Sequence, residues 1–282
     1  MDWQGRREST NVDDRRGVSG GGLAVGGGVL GVIFILAKFL LGDGNINDLQ
    51  QLMPQQQQQE MTVEQKAADD KEASFVKVVL ADTEDVWSKL FNDMGRSYTN
   101  PTLVLFRNST TSACGNASTS SGPFYCPADQ DLYIDLAFAQ QLKEQFSASG
   151  DFAMAYVVAH EVGHHVQDLL GVTKKMQQIQ QRVSETEYNK YSVRLELQAD
   201  FYAGVWAHYD QKMKNVIKPS DIEEALTAAN AIGDDRLQKE YQGTVTPDSF
   251  THGTSAQRMY WFKKGYETGD LNQGNTFADG SY

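Results

Sequence analysis

The chain is 282 residues long, 40% hydrophobic and carries a formal net charge of −12, enough material for one substantial domain with appendages. That acidity argues against a nucleic-acid partner and against adhesion of the folded part to anionic membrane surfaces. No long run of like charge accompanies it, so it reads as ordinary solubility.

Residues 1–22 form a polar tail carrying Arg6, Arg7, Arg15 and Arg16. Leu23 to Leu41 follows with one charge, Lys38, and is most apolar from Val29 to Ala37. At 1.5 Å per residue this stretch reaches roughly 28 Å, enough for a single transmembrane helix. Lys38 near its end can snorkel. Asp43 and Asp48 come next, and the following lysine is Lys66. The positive-inside bias therefore puts the N-terminus in the cytoplasm and the remainder in the extracytoplasmic or periplasmic space, anchored in the cell (inner) membrane. A cleavable signal peptide competes with this reading. The long preceding tail and the lack of a small-x-small site after Leu41 favour an uncleaved anchor. Gly27 and Gly31 form a G-x-x-x-G, a weak basis for a homo-oligomer. Residues 42–72 read as a linker, Gln-rich from Asn47 to Glu60 and too poor in apolar residues to fold alone.

The domain expected over residues 73–268 opens with a helix from Phe75 to Gly95, its inward positions being Val76, Val79, Leu80, Val86, Leu90 and Phe91. Thr102–Phe106 is a short strand. Cys114 and Cys126 then flank a Gly/Ser/Thr-rich loop. Their spacing is wrong for a zinc knuckle, and a disulfide across the loop suits an oxidising exterior, whereas two unrelated thiols is the alternative. Asp131–Leu136 is a second strand leading into a helix over Ala137–Phe146. It is a candidate to pair with an extended substrate, and an ordinary interior strand is the equal alternative.

A helix follows from Asp151, a candidate N-cap, to Gly171, a candidate left-handed stop. It is apolar on nearly every side from Ala153 to Ala159 and then carries His160-Glu161-Val162-Gly163-His164. Histidines four apart share a helix face and can hold one Zn²⁺, while Glu161 faces the same metal and can take a proton from a bound water. A chance match is the alternative, but an apolar helix is a costly place for two imidazoles and a carboxylate with no partner. Two histidines need a third protein ligand. The arrangement H-E-x-x-H-x-x-G-x-x-H fails, because Gln167 and Leu170 occupy the required positions. A later helix, expected over 186–210, offers Glu196 as ligand and Asp200, four residues on, as acceptor for the free N–H of a liganding imidazole. Solvent-facing acids would be the alternative, yet Leu195, Leu197, Ala199, Phe201, Ala203 and Val205 leave little polar face there.

A further helix is expected over 221–240, opened by a Ser220-x-x-Glu223 capping box. A Thr254-x-x-Gln257 box opens the helix containing Met259, Tyr260 and Phe262. His165 and His208 read as packed structural histidines. From Gly269 to Tyr282 no periodic pattern remains, and the chain is expected to fray or lie along the surface.

The strings His160–His165, Arg194–Asp200 and His252–Arg258 together resemble the putative neutral zinc metallopeptidases of bacteria, membrane-anchored proteins allied in motif layout to glutamate-liganded zincins. The likeness covers roughly residues 75–268. It implies an α+β, zincin-like fold, mostly helical with a small sheet, with His160, His164 and Glu196 as ligands and Glu161 as general base. In related zincins a downstream histidine in a similar string stabilises the oxyanion, which makes His252 a candidate against simple loop packing. The expected activity is hydrolysis of peptide or protein substrates outside the cytoplasm. A zinc-bound scaffold without turnover, acting as an envelope adaptor, is the alternative.

Overall fold

Thr62 and Gln65 cap one another, side chain to backbone in both directions, and start the long helix α1 at Val63–Asp93. A reciprocal cap of this kind satisfies two orphan N–H groups and fixes where a helix begins. Residues 63–72, read from composition as the end of a linker, therefore belong to the domain. The structure, a computed structural model, describes residues 1–17, 62–144 and 150–278. The expected anchor at 23–41 and the rest of the linker lie outside the described residues. Among those described, no helix is long and apolar enough to cross a membrane.

Strands β1 (Val12–Asp14), β2 (Thr102–Phe106), β5 (Phe124–Cys126) and β6 (Asp131–Asp135) form one sheet in the order β1-β2-β6-β5. The first two pairings are parallel and β5 runs antiparallel to β6. Between β2 and β5 the chain makes a two-stranded hairpin, β3 (Ser109–Ser112) with β4 (Gly115–Ser118), and Cys114 and Cys126 are disulfide-bonded, as expected. The strand expected to meet substrate, β6, is interior, with both of its edges already paired. The edge next to the central helix is β5.

The N-terminal residues correct the sequence reading most. The described part of the supposed tail, residues 1–17, is a strap laid across the domain. β1 pairs with β2 in register Val12↔Leu103. Trp3 packs edge-on against Phe75. Arg6 pairs with Asp82 at 2.6 Å, Arg7 with Glu84 and Asp85, and Arg16 with Asp69 and Asp70. The arginines that resembled a topogenic signal are thus spent on acids of α1 and on local turns.

After α2 (Ala137–Glu144), the central helix α3 (Asp151–Leu169) is buried along nearly its whole length, as its apolar run dictates. Asp151 is its first residue, with Gly150 as N-cap, and Gly171 is left-handed just beyond its end. Helix α4 (Val172–Gln180) leads to α5 (Glu185–Lys214), capped by Ser184. α3 and α5 touch where Gly163 meets Ala199: a Cβ on Gly163 would lie 2.9 Å from the Ala199 carbonyl oxygen. Only a glycine allows that approach. The last long helix, α8 (Ser255–Thr268), crosses α5 through Gly204 and Gly265, each so near the other's backbone that neither admits a side chain.

The helix expected over 221–240 is two, α6 (Pro219–Ala231) and α7 (Asp234–Gln242). Asp221, accepting the Lys218 N–H, caps the first in place of the Ser220/Glu223 pair. The break at Gly233 frees Asp234 to accept the backbone N–H groups of Thr251, His252 and Gly253. The C-terminal segment does not fray as far as it is described. Leu271–Gln273 is a 3₁₀ turn and Thr276 is buried, donating its hydroxyl to the Arg194 carbonyl at 2.6 Å.

Candidate metal centre

The Gly163–Ala199 contact sets His160 and His164 of α3 against Glu196 of α5, one turn before Asp200. Glu196 places one carboxylate oxygen 3.1 Å from His160 Nε2 and the other 3.4 Å from His164 Nε2. One donor atom from each of the three residues lies within 4.8 Å of the others, and they form the one such cluster of ligating side chains among the described residues. Two imidazole nitrogens and a carboxylate oxygen are the donors a catalytic zinc takes, with a fourth position left for water. The sequence-predicted ligands therefore come together, and the donor set fits the ion.

Asp200 is also where the motif places it. Its Oδ1 accepts from His160 Nδ1 at 2.8 Å and from the Tyr156 hydroxyl at 2.5 Å. Arg258 of α8 grips the same carboxylate with two hydrogen bonds, Nε to Oδ2 at 2.9 Å and Nη2 to Oδ1 at 3.0 Å. Burial alone would raise the Asp200 pKa, but Arg258 and His160 outweigh it and hold it at about 2. Burial would likewise lower His160. The two carboxylates on its ring nitrogens prevail and lift it to about 10, so a cation at Nε2 competes with a proton there. The proximity of the histidines keeps Glu196 well below the usual carboxylate range despite its burial.

Glu161, one residue along from the first ligand, is 8% exposed and lines the same cleft. Burial pushes its carboxyl upward, partly offset by the neighbouring histidines and a backbone hydrogen bond from Tyr125. A carboxylate raised in this way is suited to taking and returning a proton. The cleft holds about 780 Å³ and is walled by Phe124 and Tyr125 of β5, by Leu195, and by Ile232 and Leu237.

His252 reaches the cleft from the loop before α8. Its ring is half-exposed, with Nδ1 3.3 Å from Asp234 and 3.0 Å from the Thr251 hydroxyl. The hydrogen bond to Asp234 raises its pKa. The Thr254/Gln257 box expected at the entrance of α8 is present. His165 and His208 are structural, as expected: Nε2 of the first donates to the Thr99 carbonyl and Nδ1 of the second to that of Tyr266.

Sequence reasoning missed Asp234, Arg258 and Tyr156. Asp234 sits in what looked like an unbroken helix, and only Gly233 before it hinted at a stop. Arg258 ends a motif string without spacing that ties it to Asp200. Tyr156 stands one turn before His160 on the same helix face, a signal available but masked by its use as core.

A family model described as "Putative neutral zinc metallopeptidase" matches residues 1–277. The chain is 50% identical over 286 residues to the uncharacterized protein YpfJ of Escherichia coli (strain K12), with 99% of each chain covered. It is 46% identical over 203 residues to the uncharacterized protein Rv2575 of Mycobacterium tuberculosis (strain ATCC 25618 / H37Rv), covering 68% of this chain and 66% of that one. No solved structure matches the chain significantly.

Proposed function

Because the chain belongs to the putative neutral zinc metallopeptidase family, we propose that it is a zinc-dependent peptidase that cleaves peptide bonds of extracytoplasmic proteins. The observation that carries this reading is the buried Glu161 beside the His160, His164 and Glu196 cluster, at the floor of an open cleft. Zinc held by those three residues would supply a Lewis acid and an acidified water. Glu161 accepts a proton from the attacking water and returns it to the leaving amine. Asp200, clamped by Arg258, keeps His160 in the Nδ1–H tautomer so that Nε2 faces the cluster. His252, whose pKa the hydrogen bond to Asp234 raises, donates to the oxyanion that develops on the substrate carbonyl.

The substrate lies extended along β5, whose outer edge carries no strand among the described residues. Main-chain pairing to such an edge gives affinity, and the apolar walls at Phe124, Leu195 and Leu237 favour an apolar side chain beside the scissile bond. The Cys114–Cys126 disulfide suits an oxidising compartment, so domain and strap sit outside the cytoplasm together. Attachment to a membrane through residues 23–41 then has to leave residues 1–17 and 62–278 on one face.

The test compares wild type with Glu161→Gln on a broad peptide library. Glu161→Gln keeps the side chain's shape but cannot act as the base, so zinc should stay bound while hydrolysis falls by roughly a hundredfold or more. Equal cleavage by both proteins would sink the assignment of Glu161. Cleavage by neither, with zinc bound, would favour a zinc-stabilised scaffold without turnover.

A further inference from the structure

Asp200 and Arg258 account for the orientation of His160, but the second histidine is held by something else. His164 Nδ1 lies 2.9 Å from Gln167 Oε1. Gln167, 1% exposed, donates its amide nitrogen to the Leu195 carbonyl at 2.7 Å and to Gln198 Oε1 at 3.2 Å. Gln198 in turn donates its nitrogen to the Gly274 carbonyl at 2.9 Å. Backbone carbonyls can only accept, so Leu195 and Gly274 fix which end of each amide is nitrogen. The polarity of the whole chain follows: Gly274 accepts from Gln198, Gln198 from Gln167, and Gln167 Oε1 is left facing His164. An acceptor at that place requires the proton on Nδ1 and leaves the Nε2 lone pair toward Glu196.

The far end of this chain is itself anchored to the third-ligand helix. Thr276 donates to the Arg194 carbonyl, and Arg194 donates to that of Phe277 at 3.3 Å. A Cβ on Gly274 would lie 2.4 Å from the Phe201 ring, so the segment lies flush on α5. Residues 274–277 thereby touch α5 on both sides of Glu196, at Arg194 and at Gln198 and Phe201.

We infer that Gln167 and Gln198 are positioning residues for the metal centre, an uncharged amide relay that runs from the C-terminal segment at Gly274 to Nδ1 of His164. This rests on the reading of His160, His164 and Glu196 as zinc ligands. The two histidines are then oriented by unlike means, one by an arginine-clamped carboxylate and the other by neutral amides. The relay adds no further charge to a site that already holds Glu161, Glu196 and Asp200.

The test measures zinc affinity by chelator competition, and the visible spectrum of the cobalt-substituted protein, on full-length wild type, Gln167→Met, Gln167→Glu and Gln198→Met. Outer-shell partners of metal-bound histidines typically contribute roughly 10–100-fold in affinity. Gln167→Met, similar in shape but without an acceptor, should bind zinc about 10–100-fold more weakly and alter the cobalt spectrum. Gln167→Glu restores an acceptor toward His164 but sets its other oxygen against the Leu195 carbonyl and Gln198 Oε1, so it should recover the affinity only in part, and Gln198→Met should fall between Gln167→Met and wild type. The melting temperature of the metal-free proteins separates positioning from folding: a Gln167→Met protein that melts like wild type but has lost affinity carries the inference. Wild-type affinity and spectrum in Gln167→Met would overturn the relay and leave the ligand assignment standing. Absence of zinc from wild type itself would overturn both.

Discussion

The ion pair between Asp200 and Arg258 gives a quantitative test of how the site is held. Both side chains are essentially excluded from water, at 0% and 3% exposure, and meet through two hydrogen bonds. Removing one member of such a pair strands a buried charge, which typically costs about 3–5 kcal/mol. Asp200→Asn and Arg258→Met should each destabilise the metal-free protein by about that much. Additive behaviour would then give about 6–10 kcal/mol, comparable to the whole stability of an ordinary domain. The double variant strands neither charge. It should cost little more than the worse single variant, a coupling at or above the roughly 3 kcal/mol upper end seen for contacting residues. Urea denaturation of metal-stripped protein measures this without a contribution from ligand binding. The pH dependence has a definite sign. The Asp200 pKa falls from 3.8 to about 2 on folding, so its contribution is fully present above pH 3.8 and is lost as the pH falls toward 2. The advantage of wild type over Asp200→Asn should shrink across that window. Additive costs, or single variants within about 1 kcal/mol of wild type, would refute the reasoning.

Two further outcomes follow from the cleft and the strap. His252→Ala should lower kcat for peptide hydrolysis with KM little changed if the ring meets the oxyanion, while a lower melting temperature with kcat unchanged would reduce it to loop packing. Thr10→Cys in the strap and Glu240→Cys in the domain, both at exposed positions, each introduce the only free thiol in a chain whose two native cysteines are bonded. They should react alike with a membrane-impermeant maleimide on intact cells. Labelling of one position and protection of the other would place them on opposite sides of the membrane and contradict the strap.

The site was legible because its signals are local. Two histidines and a glutamate within five residues declare one helix face, and Glu196 with Asp200 repeats the trick on α5. The α+β class and the disulfide could also be read. The strap could not, since β1 is three residues long and its partner β2 lies some ninety residues away in sequence. No periodicity marks such a pairing, and arginines ahead of an apolar run read as a topology signal when the acids they pair with are not in view. The start of α1 at Thr62 was hidden by a glutamine-rich composition, although the Thr62/Gln65 box stood in the sequence. The strand that faces the cleft went unread, because β5 is only three residues long at the end of the cysteine loop and carries no alternation to mark it. Gln167 served in the sequence only to exclude a third histidine ligand, because an amide's role depends on what lies opposite its two ends.

The claim on which the rest depends is that His160, His164 and Glu196 bind one zinc ion. Elemental analysis of the purified full-length protein and of Glu196→Ala tests it most directly. One zinc per chain in wild type, with the stoichiometric metal lost in Glu196→Ala, is the predicted result. A wild type without zinc, or a Glu196→Ala protein that retains one ion per chain, would contradict the account.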